Sequence, residues 1–202
     1  MGILDLIYPK RCLGCRKEGN YICKNCLEKV EKVSPSGKLI CFWKYEGVIK
    51  RAILILKYSF VENISDELSS LLLEEINRRK INFSLNSIFV CIPLHKKRQN
   101  FRGFNQSEEI FRKLAKKLGY RLIPDLLIRV KNTSPQSRLT KKERDKNIKY
   151  AFVFNRKYKV RNKEREIVLC DDVWTTGSTI KEATRVLKEQ GFKDISAFTI
   201  AR

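Results

Sequence analysis

Apolar residues fall into two kinds of pattern along this chain. Continuous runs over residues 87–94 (Ser-Ile-Phe-Val-Cys-Ile-Pro-Leu), 167–170 and 196–200 predict strands buried on both faces. Pro93 ends the pairing of the first. Spacings of three and four predict amphipathic helices. Leu68, Leu71, Leu72 and Ile76 mark one from about 66 to 79. Ile110, Phe111, Leu114, Ala115 and Leu118 mark a second, ended by Gly119. Ile180, Ala183, Val186 and Leu187 mark a third, stopped at Gly191.

Weaker signals fill the gaps. Residues 39–45 alternate loosely as a strand, and Glu46-Gly47 turns. In 48–58, apolar residues are interrupted by Lys50, Arg51 and Lys57; strand and helix compete, and length favours helix. Residues 121–130 read as a strand bent or ended at Pro124, 139–148 as a highly charged helix or lid, and 151–154 as a short strand. A basic connection without apolar periodicity covers 155–165. Strand–helix alternation predicts a mainly parallel α/β sheet with flanking helices, its ligand loops at the C-terminal ends of the strands. The 202 residues, 43% of them hydrophobic, allow one domain of ordinary size plus a small appendage.

Two strand ends carry chemistry. After the strand at 167–170 come Asp171 and Asp172, then a small hydroxyl-rich turn of Thr175, Thr176, Gly177, Ser178 and Thr179, then a helix. Backbone N–H groups and hydroxyls at a helix N-terminus favour an anion, and Gly177 permits close approach of the backbone. The carboxylates suit donors such as ribose hydroxyls, or a hydrated Mg²⁺. The stretch therefore reads as a sugar-phosphate site. After the strand at 87–94 comes His95-Lys-Lys-Arg98, a short spacer, and Arg102-Gly-Phe-Asn-Gln106 ahead of a helix; Asn105 and Glu108 have the spacing of a capping box. This is a second anion site with cations added, or else a solvated basic loop. His95, the single histidine, suits turn positioning or a phosphate contact better than acid–base work.

Residues 1–35 stand apart. Cys12-x-x-Cys15 and Cys23-x-x-Cys26 can place four thiolates about 2.3 Å from one ion and close a tetrahedron. Zn²⁺ is the expected metal, structural rather than redox-active, since no thioredoxin-like strand and helix surround either pair. Gly14 and Gly19 allow the tight turns. Cys41, Cys91 and Cys170 lie in apolar runs and read as buried thiols. Seven cysteines fit metal or buried thiols in a cytoplasmic chain better than a disulfide framework.

Charge adds a partner class. The net charge is +21, and 23 basic against 6 acidic residues between His95 and Arg165 put +17 of it in the middle third. Such a field attracts nucleic acid, nucleotide phosphates or an acidic membrane surface; the alternative is a solubilising surface. No run of about 18 apolar residues suggests a membrane span, and residues 1–9 do not read as a signal peptide, so a cytoplasmic location is expected.

The stretch 168–180 resembles the phosphoribosyl pyrophosphate (PRPP) signature of the type I phosphoribosyltransferases. Pro-Leu-His-Lys-Lys-Arg with Arg-Gly-Phe-Asn-Gln, the later Ser-Pro-Gln-Ser-Arg-Leu-Thr-Lys-Lys-Glu-Arg (134–144) with Asn147, and the four N-terminal cysteines resemble the ComF branch of phosphoribosyltransferase-like proteins, so the likeness spans nearly the whole chain. Trp174 departs from it, since small aliphatic residues are usual there.

The resemblance implies a type I phosphoribosyltransferase fold over residues 36–202, with hood elements from about 36 to 85. It implies PRPP bound with Mg²⁺: Thr175, Thr176, Gly177, Ser178 and Thr179 on the 5-phosphate, Asp171 and Asp172 as the catalytic carboxylates on the ribose hydroxyls, and Lys96, Lys97, Arg98, Arg102 and Gly103 on the pyrophosphate. It also implies a role in natural transformation beside a helicase-like partner, with single-stranded DNA bound on the basic middle third and recruitment to the inner face of the membrane. Gln136, Arg138, Arg144 and Asn147 are candidate polar contacts to substrate or strand, and Phe101, Phe104, Phe152, Phe154 and Tyr158 candidate stacking groups. The alternative is an active phosphoribosyltransferase of nucleotide metabolism whose acceptor the sequence does not identify.

Overall fold

A computed structural model describes residues 9–58, 62–133, 140–160 and 163–202. Five strands form one sheet in the order β1-β7-β6-β2-β3, every neighbouring pair parallel. They are β1 (Leu39–Ile40), β2 (Ile88–Cys91), β3 (Arg121–Leu122), β6 (Ile167–Val173) and β7 (Ile195–Ala201). Strands β4 (Leu127–Arg129) and β5 (Phe152–Phe154) pair antiparallel in a separate ribbon. The helices are α1 (Lys24–Glu28), α2 (Gly47–Tyr58), α3 (Glu62–Arg78), α4 (Lys96–Arg102), α5 (Gln106–Leu118), α6 (Lys141–Ile148) and α7 (Ser178–Glu189).

The continuous apolar runs follow from burial on both faces, because successive side chains alternate across a strand. Phe89, Cys91, Val168, Cys170, Phe198 and Ile200 pack on one face with α2, α3 and α5. Ile88, Val90, Ile167, Leu169, Ile195 and Ala197 pack on the other with α7 and the β4–β5 ribbon. The crossover β2–α5–β3 thus covers one face and runs one way from the sheet centre. The crossover β6–α7–β7 covers the other face and runs the opposite way. Between β2 and β6, which run parallel, the order of winding reverses, and a crevice opens there at the strand C-termini.

Residues 48–58 are helical, as their length suggested. The weak strand at 39–45 reduces to two residues of ladder at the sheet edge. The segment 121–130 is two strands in different sheets: β3 extends the parallel sheet, and beyond Pro124 the chain leaves it to form β4 of the ribbon. Proline has no N–H for a ladder, which accounts for the break. Leu127 and Arg129 then face inward while Ile128 and Val130 are exposed.

The N-terminal segment docks on the core. Cys12, Ile22 and Val30 share a hydrophobic cluster with α2, α3 and α5. The Glu67 carboxylate accepts from the N–H groups of Tyr21 at 2.9 Å and Ile22 at 2.6 Å, and Arg51 Nη1 donates to the carbonyls of Leu13 at 2.7 Å and Gly14 at 3.3 Å. Among the described residues no helix is long and apolar enough to cross a membrane.

Candidate functional site

A cavity of about 470 Å³ occupies the crevice between β2 and β6. Its lining carries two carboxylates, Asp171 and Asp172, against five cations, Lys57, Arg98, Arg102, Arg129 and Arg144. That imbalance suits a ligand with several negative charges. Thr175, Gly177, Thr179 and Trp174 complete the floor beside the carboxylates.

The acidic pair sits on the last residues of β6, and its environment splits it. Asp172 is buried; its Oδ2 accepts from Gln106 Nε2 at 3.0 Å and pairs with Lys57 Nζ at 2.8 Å. Burial pushes this carboxyl up, but Lys57 outweighs burial and holds it below the usual carboxylate range. Asp171 accepts from the Asp172 N–H at 2.9 Å and from Ser107 Oγ at 3.3 Å. Burial and the neighbouring Asp172 charge raise it to about 7. Two adjacent carboxylates thus serve in different protonation states near neutrality.

The hydroxyl turn is built around Gly177, which is left-handed (φ 74°) and caps the N-terminus of α7. Glycine brings no side-chain oxygen of its own to the first-turn N–H groups; Thr176 Oγ1 accepts from that of Ser178 at 3.5 Å. A Cβ here would lie 2.4 Å from the Trp174 ring, so the indole packs directly under the glycine. Ser178 is buried at the start of α7, its hydroxyl 2.6 Å from Thr176 Oγ1 and donating to the Asp145 carboxylate of α6. Thr176 and Ser178 lie behind the turn, and Thr175, Gly177 and Thr179 face the cavity.

The basic segment after β2 is helical rather than a loop. His95 caps α4 through Nδ1, which accepts from the Lys97 N–H at 3.3 Å, the turn-positioning role its place suggested. Gly103 ends the helix in the left-handed region. One helical turn separates Arg98 from Arg102, so both reach the cavity, whereas Lys96 and Lys97 point to solvent and neither they nor Gly103 line it. Asn105 caps α5, its side chain accepting from the Ser107 N–H at 3.1 Å and donating to the Ile92 carbonyl at 3.0 Å. The full capping box is elsewhere, at Thr140 and Glu143 of α6. Of the candidate polar contacts, Arg144 lines the cavity; Gln136 and Arg138 lie outside the described residues.

Three side chains that line the cavity escaped the sequence reading. Lys57 lies four residues beyond buried Ile53, at the margin of the apolar face of α2, and that phase is its signal. Gln106, first residue of α5, holds the second carboxylate. Arg129 falls in phase with buried Leu127, so a cation occupies an inward position of an apolar strand. Of the stacking candidates, Phe101 is 86% exposed at the cavity mouth beside exposed Tyr58, and Phe152 is buried in the core.

The four thiols of the N-terminal segment converge. The Sγ atoms of Cys12, Cys15, Cys23 and Cys26 lie within 4.8 Å of one another, and Cys15 and Cys23 are 3.6 Å apart. A tetrahedron with bonds of about 2.3 Å needs sulfur separations of about 3.8 Å, so the set fits one zinc ion. A Cβ on Gly14 would lie 2.6 Å from Cys26 Sγ, so glycine is required for the backbone to pass this close. Burial pushes the Cys12 thiol up, but backbone hydrogen bonds from Cys23, Cys15 and Gly14 bring it down to about 6, which favours the ligating thiolate.

Comparison with known proteins supports the metal cluster and places the chain in a family. Residues 3–41 match the family model of the double zinc ribbon domain, which supports structural zinc at the four cysteines. The chain is 31% identical over 182 residues to DNA utilization protein YhgH of Escherichia coli, a match covering 89% of this chain and 77% of that protein. It is 29% identical over 198 residues to competence protein F of Haemophilus influenzae, covering 95% and 84%. Identity to competence protein ComFC of Streptococcus pneumoniae is 30% over 200 residues, covering 98% and 83%. Likeness of this extent, running from the cysteine cluster through the cavity to the last strand, makes the chain a member of the ComF family.

Proposed function

We propose that this protein acts in DNA uptake and handling, and that its cavity binds PRPP. The observation that carries the cavity reading is the pairing of an acidic strand end with a glycine-centred helix N-terminus, facing an arginine cluster across one crevice. The first-turn N–H groups of α7, with Thr175 and Thr179, take the 5-phosphate. Asp171 and Asp172 orient the ribose hydroxyls, and Mg²⁺ accompanies the diphosphate. Arg98 and Arg102 neutralise that diphosphate, which is the leaving group if transfer occurs. Lys57 keeps Asp172 ionised at neutral pH. The names of the relatives, competence protein F, ComFC and DNA utilization protein, support the role in uptake.

Single-stranded DNA is the proposed macromolecular ligand, held by the basic middle third with Phe101 as its exposed stacking group. A helicase-like protein of the uptake machinery and the inner membrane face are the proposed partners in place. Glycosyl transfer to an aromatic acceptor is a second reading, favoured by the exposed Tyr58 and Phe101 rings at the mouth.

Calorimetric titration of PRPP with Mg²⁺ tests the cavity reading. The natural protein should bind and the Asp171→Ala/Asp172→Ala double variant should not. Equal binding by both, or none by either, would reject it. Repeating the titration with a single-stranded oligonucleotide present tests coupling between the two ligands. The oligonucleotide's own affinity should fall steeply with salt.

A further inference from the structure

Arg129 is the one cation of the cavity held almost wholly out of water, at 8% exposure, and it has no carboxylate partner among the described residues. Its Nη2 donates to the Thr133 hydroxyl, and its guanidinium lies 5.5 Å from the Phe152 ring centre. Its Nε is buried with no hydrogen-bond partner among the described residues. Leaving a charged donor unsatisfied in this way is costly, so a partner is to be expected at that position. Arg98 stands beside it, donating from Nη2 to the Thr133 carbonyl at 3.0 Å. One residue, Thr133, thus holds two guanidinium groups close to each other on the cavity wall. Burial first, and then the Arg98 charge, pull Arg129 down to about 10, and the Asp171 charge offsets this only in part. Two arginines held together, neither in an ion pair among the described residues, are favoured by an anion that bridges them.

We propose that Arg129 is a binding residue of the cavity and that, with Arg98, it forms a subsite for a diphosphate group. Assigning that group to the diphosphate end of PRPP rests on the sugar-phosphate reading above. Arg129 Nε supplies the buried donor, and Arg98, half-buried on the first turn of α4, supplies the solvent-side donor. Arg102, near the exposed Tyr58 ring, is farther toward the mouth. The subsite thereby draws on β4, a strand of the small ribbon, as well as on the basic helix after β2.

The test uses inorganic pyrophosphate with Mg²⁺ and, separately, ribose 5-phosphate as probes of the two ends of the cavity, with the full chain, Arg129→Gln and Arg129→Lys. Pyrophosphate affinity is expected to fall about 10- to 100-fold in Arg129→Gln and by less in Arg129→Lys, with ribose 5-phosphate affinity unchanged in both. In the natural protein, the Arg129 Nε–H resonance, assigned by its absence in Arg129→Lys, is expected to shift on adding pyrophosphate and to exchange more slowly with water. This second measurement stands even if Arg129→Gln fails to fold. No pyrophosphate binding by the natural protein, unchanged affinity in Arg129→Gln, equal loss of both probes, or an unmoved Nε–H resonance would overturn the proposal. Failure of the PRPP reading is distinct: neither PRPP nor ribose 5-phosphate would bind, while pyrophosphate binding still depended on Arg129.

Discussion

Asp171 and Asp172 are adjacent on one strand, yet their pKa values are driven apart. Asp171 is raised, by burial first and the Asp172 charge second, to about 7. A carboxyl raised above its unfolded value favours the folded state fully below that value. The contribution is lost as pH rises through about 7. Asp172 is lowered, so its contribution is present above the unfolded value and lost as pH falls. At pH 8, Asp171→Asn should therefore unfold at a higher temperature than the natural protein, and Asp172→Asn, which leaves Lys57 buried without its counter-charge, at a lower one. Thermal unfolding followed by circular dichroism checks both signs. Ligand hydroxyls need the ionised form of Asp171, so PRPP affinity should rise about tenfold more between pH 6 and 8 in the natural protein than in Asp171→Asn. Gly177 is constrained twice, by its left-handed backbone and by the indole 2.4 Å from a prospective Cβ. Gly177→Ala should cost about 1–3 kcal/mol of stability in denaturant unfolding and should abolish ribose 5-phosphate binding. Retention of natural affinity would show that the turn has no part in the anion site.

At the scale of elements, α6 is the least predictable from pattern and the most informative in place. Its sequence has no apolar stripe, and a highly charged helix or lid was all the chain suggested. The reciprocal bonds between Thr140 and Glu143 start it, Ile148 pins its end in the core, and Asp145 reaches the Ser178 hydroxyl at the start of α7. A carboxylate so close to the helix terminus proposed to take the 5-phosphate would oppose that phosphate. Asp145→Asn keeps the shape and removes the charge, and should tighten ribose 5-phosphate binding several-fold, an effect of about 1 kcal/mol. Unchanged affinity by calorimetry would place the phosphate away from Ser178. The elements that were legible in the sequence are those whose burial is complete: β2, β6 and β7 as apolar runs, α5 and α7 as apolar stripes. The acidic pair, the hydroxyl turn and the four thiols were legible because their chemistry is compressed into short windows. Lys57, Gln106 and Arg129 were not, since only tertiary contacts across 115 and 66 positions bring Lys57 and Gln106 to Asp172, and one across 42 positions brings Arg129 toward Asp171. A strand of two residues such as β1 also has too little sequence to signal itself; its place comes from pairing with β7.

The whole molecule joins a thiol cluster to an α/β core through helices α2 and α3. The ribbon backbone satisfies Glu67 and Arg51, and Cys12 and Ile22 sit within the same apolar cluster as those helices. Zinc binding in small ribbons supplies about 10–16 kcal/mol of folding free energy, so removing the metal should loosen these contacts too. Protein stripped with a chelator under mild denaturation should melt about 10 °C or more below the metal-loaded form. Hydrogen exchange should then speed up in α2 and α3 as well as in residues 10–33. A melting temperature unaltered by chelation, with no zinc found by elemental analysis, would reject the metal assignment.

Helix α2 touches both halves of this arrangement. Arg51 holds the carbonyls of Leu13 and Gly14, and Lys57, six residues and about 9 Å farther along the axis, holds Asp172. One rigid rod therefore carries a fitting for the ribbon near its start and a fitting for the cavity at its end. Grafting experiments between relatives would feel this directly. A chimera spliced at residue 35 parts the ribbon from the arginine that reads it, whereas one spliced beyond Tyr58 transfers the ribbon together with the lysine that sets the charge of the acidic pair.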